Sequence, residues 1–170
     1  MTIRIMGSIL IILGFGSIGF LASTNHKKEI STIKCFLESL NRMESELRYR
    51  KTPLPYLCHY LGTNANGVIK EFYINLSNQL QGLDHADAAA CVAVSIERLG
   101  HLPDNVRKLL LMLGQSLGQF DLEGQICSIQ GVKEECYSLI GKLSENQEQK
   151  RKSYRALGLC AGAAVAILFI

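Results

Sequence analysis

The sequence predicts an all-α protein: a six-helix antiparallel bundle flanked by N- and C-terminal transmembrane helices. Three observations point there. Long uncharged apolar runs stand at both ends of the chain, at Ile5–Ala22 and Ala156–Ile170. Between them, apolar residues recur at intervals of three and four, bounded by Pro, Gly and Asp where helices start and stop. No alternating stretch bounded by turns makes a convincing strand.

Of the 170 residues, 48% are hydrophobic and 19% charged, with a net charge of +3. A soluble domain carries about 25% charged residues. The excess of apolar residues sits at the two ends. The centre is near neutral, Trp is absent and there is no low-complexity tract, which argues against a disordered tail, a collagen-like chain or a nucleic-acid-binding domain.

Ile5–Ala22 holds 18 uncharged residues, reaching ~27 Å against a hydrocarbon core of ~30 Å. Its glycines, Gly7, Gly14, Gly16 and Gly19, suit a helix in lipid, where small residues allow close approach. A cleaved signal peptide is the alternative, but the apolar run is long for one, and Phe20 occupies a position before the Ala22 cut that needs a small residue. Ala156–Ile170 has 15 residues, or ~22 Å, and spans only with help from flanks such as Tyr154 and Arg155. A buried core helix is the alternative there. Against it, Leu159–Ile170 is apolar on all sides.

Basic residues orient the spans, because Lys and Arg stay on the cytoplasmic side. Lys27, Lys28 and Lys34 follow the first run, Lys150, Arg151, Lys152 and Arg155 precede the second, and only Arg4 lies on the outer side. The expected organisation is a transmembrane helix over 1–22, a cytoplasmic bundle over 23–155 and a transmembrane helix over 156–170. The membrane-flanking residues Lys27, Lys28, Lys150, Arg151, Lys152 and Arg155 would also attract anionic lipid, at ~1 kcal/mol each near the surface.

In the centre, Ile30, Ile33, Leu37, Leu40, Met43 and Leu47 form the stripe of a first helix. Thr52 and Pro53 are expected to open a second, by a capping hydroxyl and a preset φ, and Gly62 to stop it. Val68, Ile69, Phe72, Leu76 and Leu80 mark a third, and Ala89, Val92, Ala93, Ile96 and Leu99 a fourth, closed by Gly82 and Gly100. Pro103 and Asp104 open a fifth, carrying Val106, Leu109, Leu110, Leu113 and Leu117, with Gly118 as its stop. Asp121 caps the sixth, where Leu122, Ile126, Ile129, Val132, Cys136, Leu139 or Ile140, and Leu143 keep a period near 3.5 and the helix runs on into the second membrane span.

No chemistry-bearing constellation emerges. The histidines His26, His59, His85 and His101 stand alone, without the spacing that brings metal ligands onto one helical turn. No phosphate-cradling loop or nucleophile signature is present. The glycines of Gly114–Gly118 end a helix instead of leading from a strand into one, so they read as a turn. The six cysteines lack CxxC spacing and read as buried thiols in a reducing compartment. No catalytic activity, metal or cofactor is expected. Glu44, Glu46, Arg48, Arg50 and Lys51, with Tyr49 among them, form a mixed-charge run that is either a solvated helix end or a partner surface.

Three segments carry a resemblance. Met43–Leu54 resembles the E-x-x-Y-x-x-T-P-L segment of the stage III sporulation protein AB family, through Glu46, Tyr49, Thr52, Pro53 and Leu54. Leu113–Asp121 with Gln125 resembles that family's G-x-x-L-G-x-x-D-x-x-x-Q, and Ser153–Gly158 its entry into the C-terminal membrane helix. The chain departs in having no Trp, which relatives can carry near Ala90–Val94.

The resemblance implies a non-enzymatic platform in the channel complex that endospore formers build between mother cell and forespore. It implies a bundle similar to the cytoplasmic F-domain of type II secretion platforms. It also implies residence in the mother-cell membrane, a secretion-type ATPase partner (stage III sporulation protein AA) and other channel-complex proteins; a homo-oligomer is a separate expectation. By analogy the contact residues are Glu46, Arg48, Tyr49 and Arg50 at the end of the first long helix, and Gly118, Asp121 and Gln125 before the last. For the second group an architectural role is the stronger reading: Gly118 for a positive φ, Asp121 as a cap worth ~1 kcal/mol, Gln125 as a local hydrogen-bonder. The rival class is a membrane-tethered regulatory adaptor presenting its bundle to a signalling partner. A membrane-bound enzyme with a site scattered over the chain is the weakest reading.

Overall fold

A computed structural model describes residues 27–50, 52–82, 87–117 and 121–169, with side chains described up to 149 except at 147. The described residues form six helices and no strand: α1 (27–49), α2 (Leu54–Asn64), α3 (Gly67–Gly82), α4 (Ala88–Glu97), α5 (Asp104–Ser116) and α6 (Leu122–Phe169). The chain divides into two units. One is Glu29–Ile140; the other holds the chain ends, up to Lys28 and from Gly141.

Within Glu29–Ile140 the apolar stripes point inward. On α1, Ile33, Leu40, Met43 and Leu47 are buried, Ile30 and Leu37 are half-buried, and Phe36, outside the predicted stripe, is buried as well. All five residues predicted for the inner face of α5 are buried, as are Ile126, Ile129, Val132, Cys136 and Leu139 of α6. Tyr73 is fully enclosed. Its hydroxyl lies 2.9 Å from Ser39 Oγ, which itself donates to the Phe36 carbonyl at 2.6 Å. A buried phenol thus keeps a partner instead of paying the desolvation of a lone hydroxyl.

Helix directions follow from paired contacts whose numbers rise on one helix as they fall on the other. Thr52 meets Glu46, and Cys35 meets Asn66, between α1 and the α2 segment. Ser77 Oγ donates to the Pro55 carbonyl at 2.9 Å between α3 and α2. Ser128 with Ser116, and Glu135 with Lys108, run α6 antiparallel to α5.

Several helix boundaries differ from expectation, each for a physical reason. Pro53, not Thr52, is the N-cap of α2, and no side chain caps that end. The Pro53 carbonyl accepts from Leu57 N at 3.0 Å, while the Thr52 hydroxyl turns away to Glu46. Gly62 does not stop α2. It lies inside the helix, buried, where a Cβ would meet Ile74 Cγ1 at 2.9 Å, so its role is close approach to α3. Gly114 is likewise interior to α5 and packs on Val92 of α4. α4 ends at Glu97 with Arg98 as C-cap, two residues short of Gly100. The positive-φ glycine among the described residues is Gly67, at the start of α3.

Asp121 behaves as predicted: its Oδ1 accepts from Gly124 N at 3.0 Å and its carbonyl from Gln125 N at 2.9 Å. From there α6 continues unbroken for 48 residues. None of Cys35, Cys58, Cys91, Cys127 and Cys136 is in a disulfide. Cys127 is exposed, where the sequence predicted burial, because it falls off the α6 inner face occupied by Ile126 and Ile129. Among the described residues no helix is long and apolar enough to cross a membrane. The predicted span at 1–22 lies outside those residues, as do the side chains of the predicted span at 156–170.

Candidate functional site

At the C-terminal end of α1 four charged residues form two i,i+4 pairs, on different sides of the helix. Arg48 Nη2 lies 3.1 Å from Glu44 Oε1, and Arg50 Nη1 lies 3.3 Å from Glu46 Oε1. Each carboxylate has further partners on other segments. Glu44 accepts from Lys133 Nζ at 3.0 Å and Gln130 Nε2 at 3.2 Å, which joins α1 to α6. Glu46 accepts from Thr52 Oγ1 at 3.2 Å, which closes the turn into α2. Lys133, then Arg48 and Gln130, hold the Glu44 carboxyl below its ordinary range despite the opposing effect of burial.

These bonds sort the charges by depth. The side chains of Glu44 and Glu46 are 17% and 15% exposed, against 49% and 73% for Arg48 and Arg50. Tyr49 between the two arginines is 80% exposed, and Tyr56, in the first turn of α2, is 67% exposed. The run that reads in sequence as a mixture of signs is therefore layered, with carboxylates inward and guanidinium groups and rings outward.

The remaining predicted residues separate. Asp121 and Gln125 share the first turn of α6, and no hydrogen bond or ion pair among the described residues links them to Glu46, Arg48, Tyr49 or Arg50. Gly118 lies outside the described residues. Lys27 and Lys28 are exposed at the start of α1. Lys150, Arg151, Lys152 and Arg155 lie on α6, their side chains outside the description. Sequence reasoning missed Gln130, Lys133 and Tyr56. A signal for Lys133 existed: a charge beside the 3.5-period seam of α6 is where a neighbouring helix is met.

A second feature is a cleft of about 210 Å³ between α1 and α2, lined by Cys35, Glu38, Ser39, Arg42 and Asn66 among others. Its charges are paired, Arg42 Nη2 lying 2.8 Å from Glu38 Oε1. Burial pushes the thiols of Cys58 and Cys136 up to about 12, so both are protonated at neutral pH. Among the described residues no group of three or more His, Cys, Asp and Glu is placed to hold a metal ion.

The chain matches the family model described as "Stage III sporulation protein AB (spore_III_AB)" over residues 4–170. A solved structure titled "Stage III sporulation protein AB (SpoIIIAB)" is similar at a TM-score of 0.63 and 20% identity, over 72% of this chain and 98% of that one. At that identity the likeness shows the fold. A search of curated proteins returns no match. With the family model covering nearly its whole length, the chain belongs to the stage III sporulation protein AB family, and its role is in sporulation.

Proposed function

We propose that this protein is a non-enzymatic platform of the mother cell–forespore channel complex. In this reading it is anchored in the mother-cell membrane by helices over 1–22 and 156–170, with 23–155 in the cytoplasm as an F-domain-like bundle that receives a secretion-type ATPase. The observation that carries the reading is the continuity of α6, which passes from its Asp121 cap through Lys150–Lys152 into the apolar run without a break. A helix that is bundle wall at one end and hydrocarbon-soluble at the other couples a cytoplasmic load to the bilayer. The Glu44 contacts to Gln130 and Lys133 support the same reading. They tie the first helix to the last, so a load on one is shared with the other.

The test uses the full-length chain in sporulating cells. It is expected to resist carbonate washing and to co-purify with stage III sporulation protein AA. Inserting Gly-Ser-Gly between Ser144 and Glu145 is expected to leave the bundle folded and to abolish spore formation. Release by carbonate, or normal spore yield from the insertion variant, overturns the proposal; recovery of a signalling protein in place of the ATPase favours the adaptor.

A further inference from the structure

Ala65 and Asn66 form the whole of the turn between α2 and α3. Asn66 is followed by glycine, and none of the chain's other asparagines is. That pair of residues can react with itself. The amide nitrogen of the residue after an asparagine can reach the asparagine's side-chain carbonyl carbon and close a five-membered ring. A side chain on the second residue obstructs the approach, and glycine has none.

The fold leaves the pair unprotected. Asn66 lies outside both helices and is exposed. Among the described residues its side-chain amide has no hydrogen-bond partner to hold it. Gly67 opens α3, and the first N–H groups of a helix have no acceptor within it, so no ladder bond restrains this nitrogen. Gly67 has a φ of +56°, and nothing lies within 4 Å of a Cβ built there, so that side is open to solvent. Asn64, two residues earlier, is the contrast. It sits in the last turn of α2, its Nδ2 donates to the Tyr60 carbonyl at 2.8 Å, and alanine follows it.

We propose that Asn66 is a site of spontaneous deamidation in the folded protein. The Gly67 nitrogen attacks Asn66 Cγ; the N–Cγ bond forms, the Cγ–Nδ2 bond breaks, and Nδ2 leaves as ammonia with the proton that Gly67 gives up. Water then opens the cyclic imide. Opening at Cγ gives aspartate, and opening at the main-chain carbonyl gives isoaspartate, whose backbone runs through the former side chain. Nothing is oxidised or reduced, and water is the one reagent consumed. The positive end of α3 favours both the nitrogen that is losing its proton and the carboxylate produced.

Either product sets a carboxylate on the wall of the α1–α2 cleft that Glu38 and Arg42 also line. Isoaspartate further lengthens the main chain by one carbon, next to the Asn66 carbonyl that accepts from Cys35 Sγ at 3.8 Å. The helices on either side have little slack, since a Cβ on Gly62 of α2 would meet Ile74 Cγ1 of α3 at 2.9 Å. The change is therefore a mark of chain age placed at a tightly packed hairpin.

The test incubates the full-length chain in mild detergent at pH 7.4 and pH 8.5, digests it with trypsin at pH 6 and reads the peptide that ends at Lys70 by mass spectrometry. Cleavage after Lys51 and Lys70 leaves Asn64 and Asn66 on one fragment, so each is the other's control. A one-dalton gain at Asn66 is expected to grow with time, faster at the higher pH, with isoaspartate detected by enzymatic methylation, while Asn64 stays an amide. A parallel sample in urea gives the rate without the fold. Asn66→Gln, which would have to close a six-membered ring, is expected to lose the gain at that position. An Asn66 that converts in urea but not in the folded chain, an Asn64 that converts alongside it, or a rate indifferent to pH overturns the inference.

Discussion

Adding a single methyl group at Gly114 tests how tightly α4 and α5 meet. A Cβ there would stand 2.8 Å from Val92 Cγ1, 3.0 Å from its Cβ and 3.3 Å from its Cγ2. Val92 is fully buried and β-branched, so it has no alternative rotamer into which to withdraw cheaply. The helices must part by some tenths of an ångström. Overpacking of this kind costs ~1–3 kcal/mol, and alanine's better helix propensity returns about 1 kcal/mol of it. Gly114→Ala is therefore expected to lower stability by about 1 kcal/mol, a drop in melting temperature of roughly 3–5 °C for a domain of this size. The assay is thermal unfolding of the full-length chain in mild detergent, followed by far-UV circular dichroism.

A second substitution separates this cause from any other. Val92→Ala alone leaves a cavity and destabilises. In the Gly114→Ala background it removes the two clashing methyl groups, and the new one fills part of the space. The double variant is expected to be more stable than the sum of the single changes predicts, by at least about 0.5 kcal/mol. A Gly114→Ala melt at or above wild type, or strict additivity, would refute the close packing of α4 on α5.

Gly131 is the opposite case: it sits in α6, exposed, with nothing within 4 Å of a built Cβ, so Gly131→Ala is expected to raise stability by ~0.5–1 kcal/mol in the same melt. Thr52→Val keeps shape but removes the donor to Glu46, with an expected loss of ~1 kcal/mol in denaturant titration. Maleimide at pH 7.5 is expected to label Cys127 quickly and Cys58 and Cys136 only on unfolding, because the first is exposed and burial pushes the other two thiols up to about 12. The Glu44 carboxyl is held below its ordinary 4.5, so its contribution is complete above that value and is lost as pH falls through it toward the lower folded value. Glu44→Gln is expected to weaken the fold by ~1 kcal/mol at pH 7 and to flatten that part of the acid limb, as read by melts from pH 7 to 3.

The periodic stripes made the helices and most of the core legible from sequence, because burial of one face is what the spacing of Leu, Ile and Val encodes. Glycines were legible only as breaks. Gly62 and Gly114 are instead the points where two helices approach, and a pattern along one helix carries no information about what crosses it. The cap at Asp121 was readable because its acceptor serves its own first turn. Thr52 was misassigned since its hydroxyl can either accept from the first N–H groups of α2 or donate to a carboxylate, and only the turn decides that it donates to Glu46. The depth of a charge was illegible for the same reason: Glu44 and Arg48 are neighbours on one helix surface, and Lys133, distant in sequence, draws the carboxylate inward.

This sorting bears on what the family-resembling segments are for. In the second, Gly114 admits Val92, Leu117 is buried and Asp121 caps α6, so folding alone accounts for them. In the first, Glu46 and Thr52 bond to each other and Pro53 supplies the first carbonyl of α2, which again is architecture. Charge reversal at Glu46 would thus disturb the turn and any partner together, and cannot tell them apart. Tyr49 is different. Its ring is 80% exposed, and an exposed aromatic residue gains little hydrophobic stabilisation from folding. A smaller polar residue would serve the helix end equally well, so of the first segment's residues Tyr49 is the one whose side chain folding does not account for.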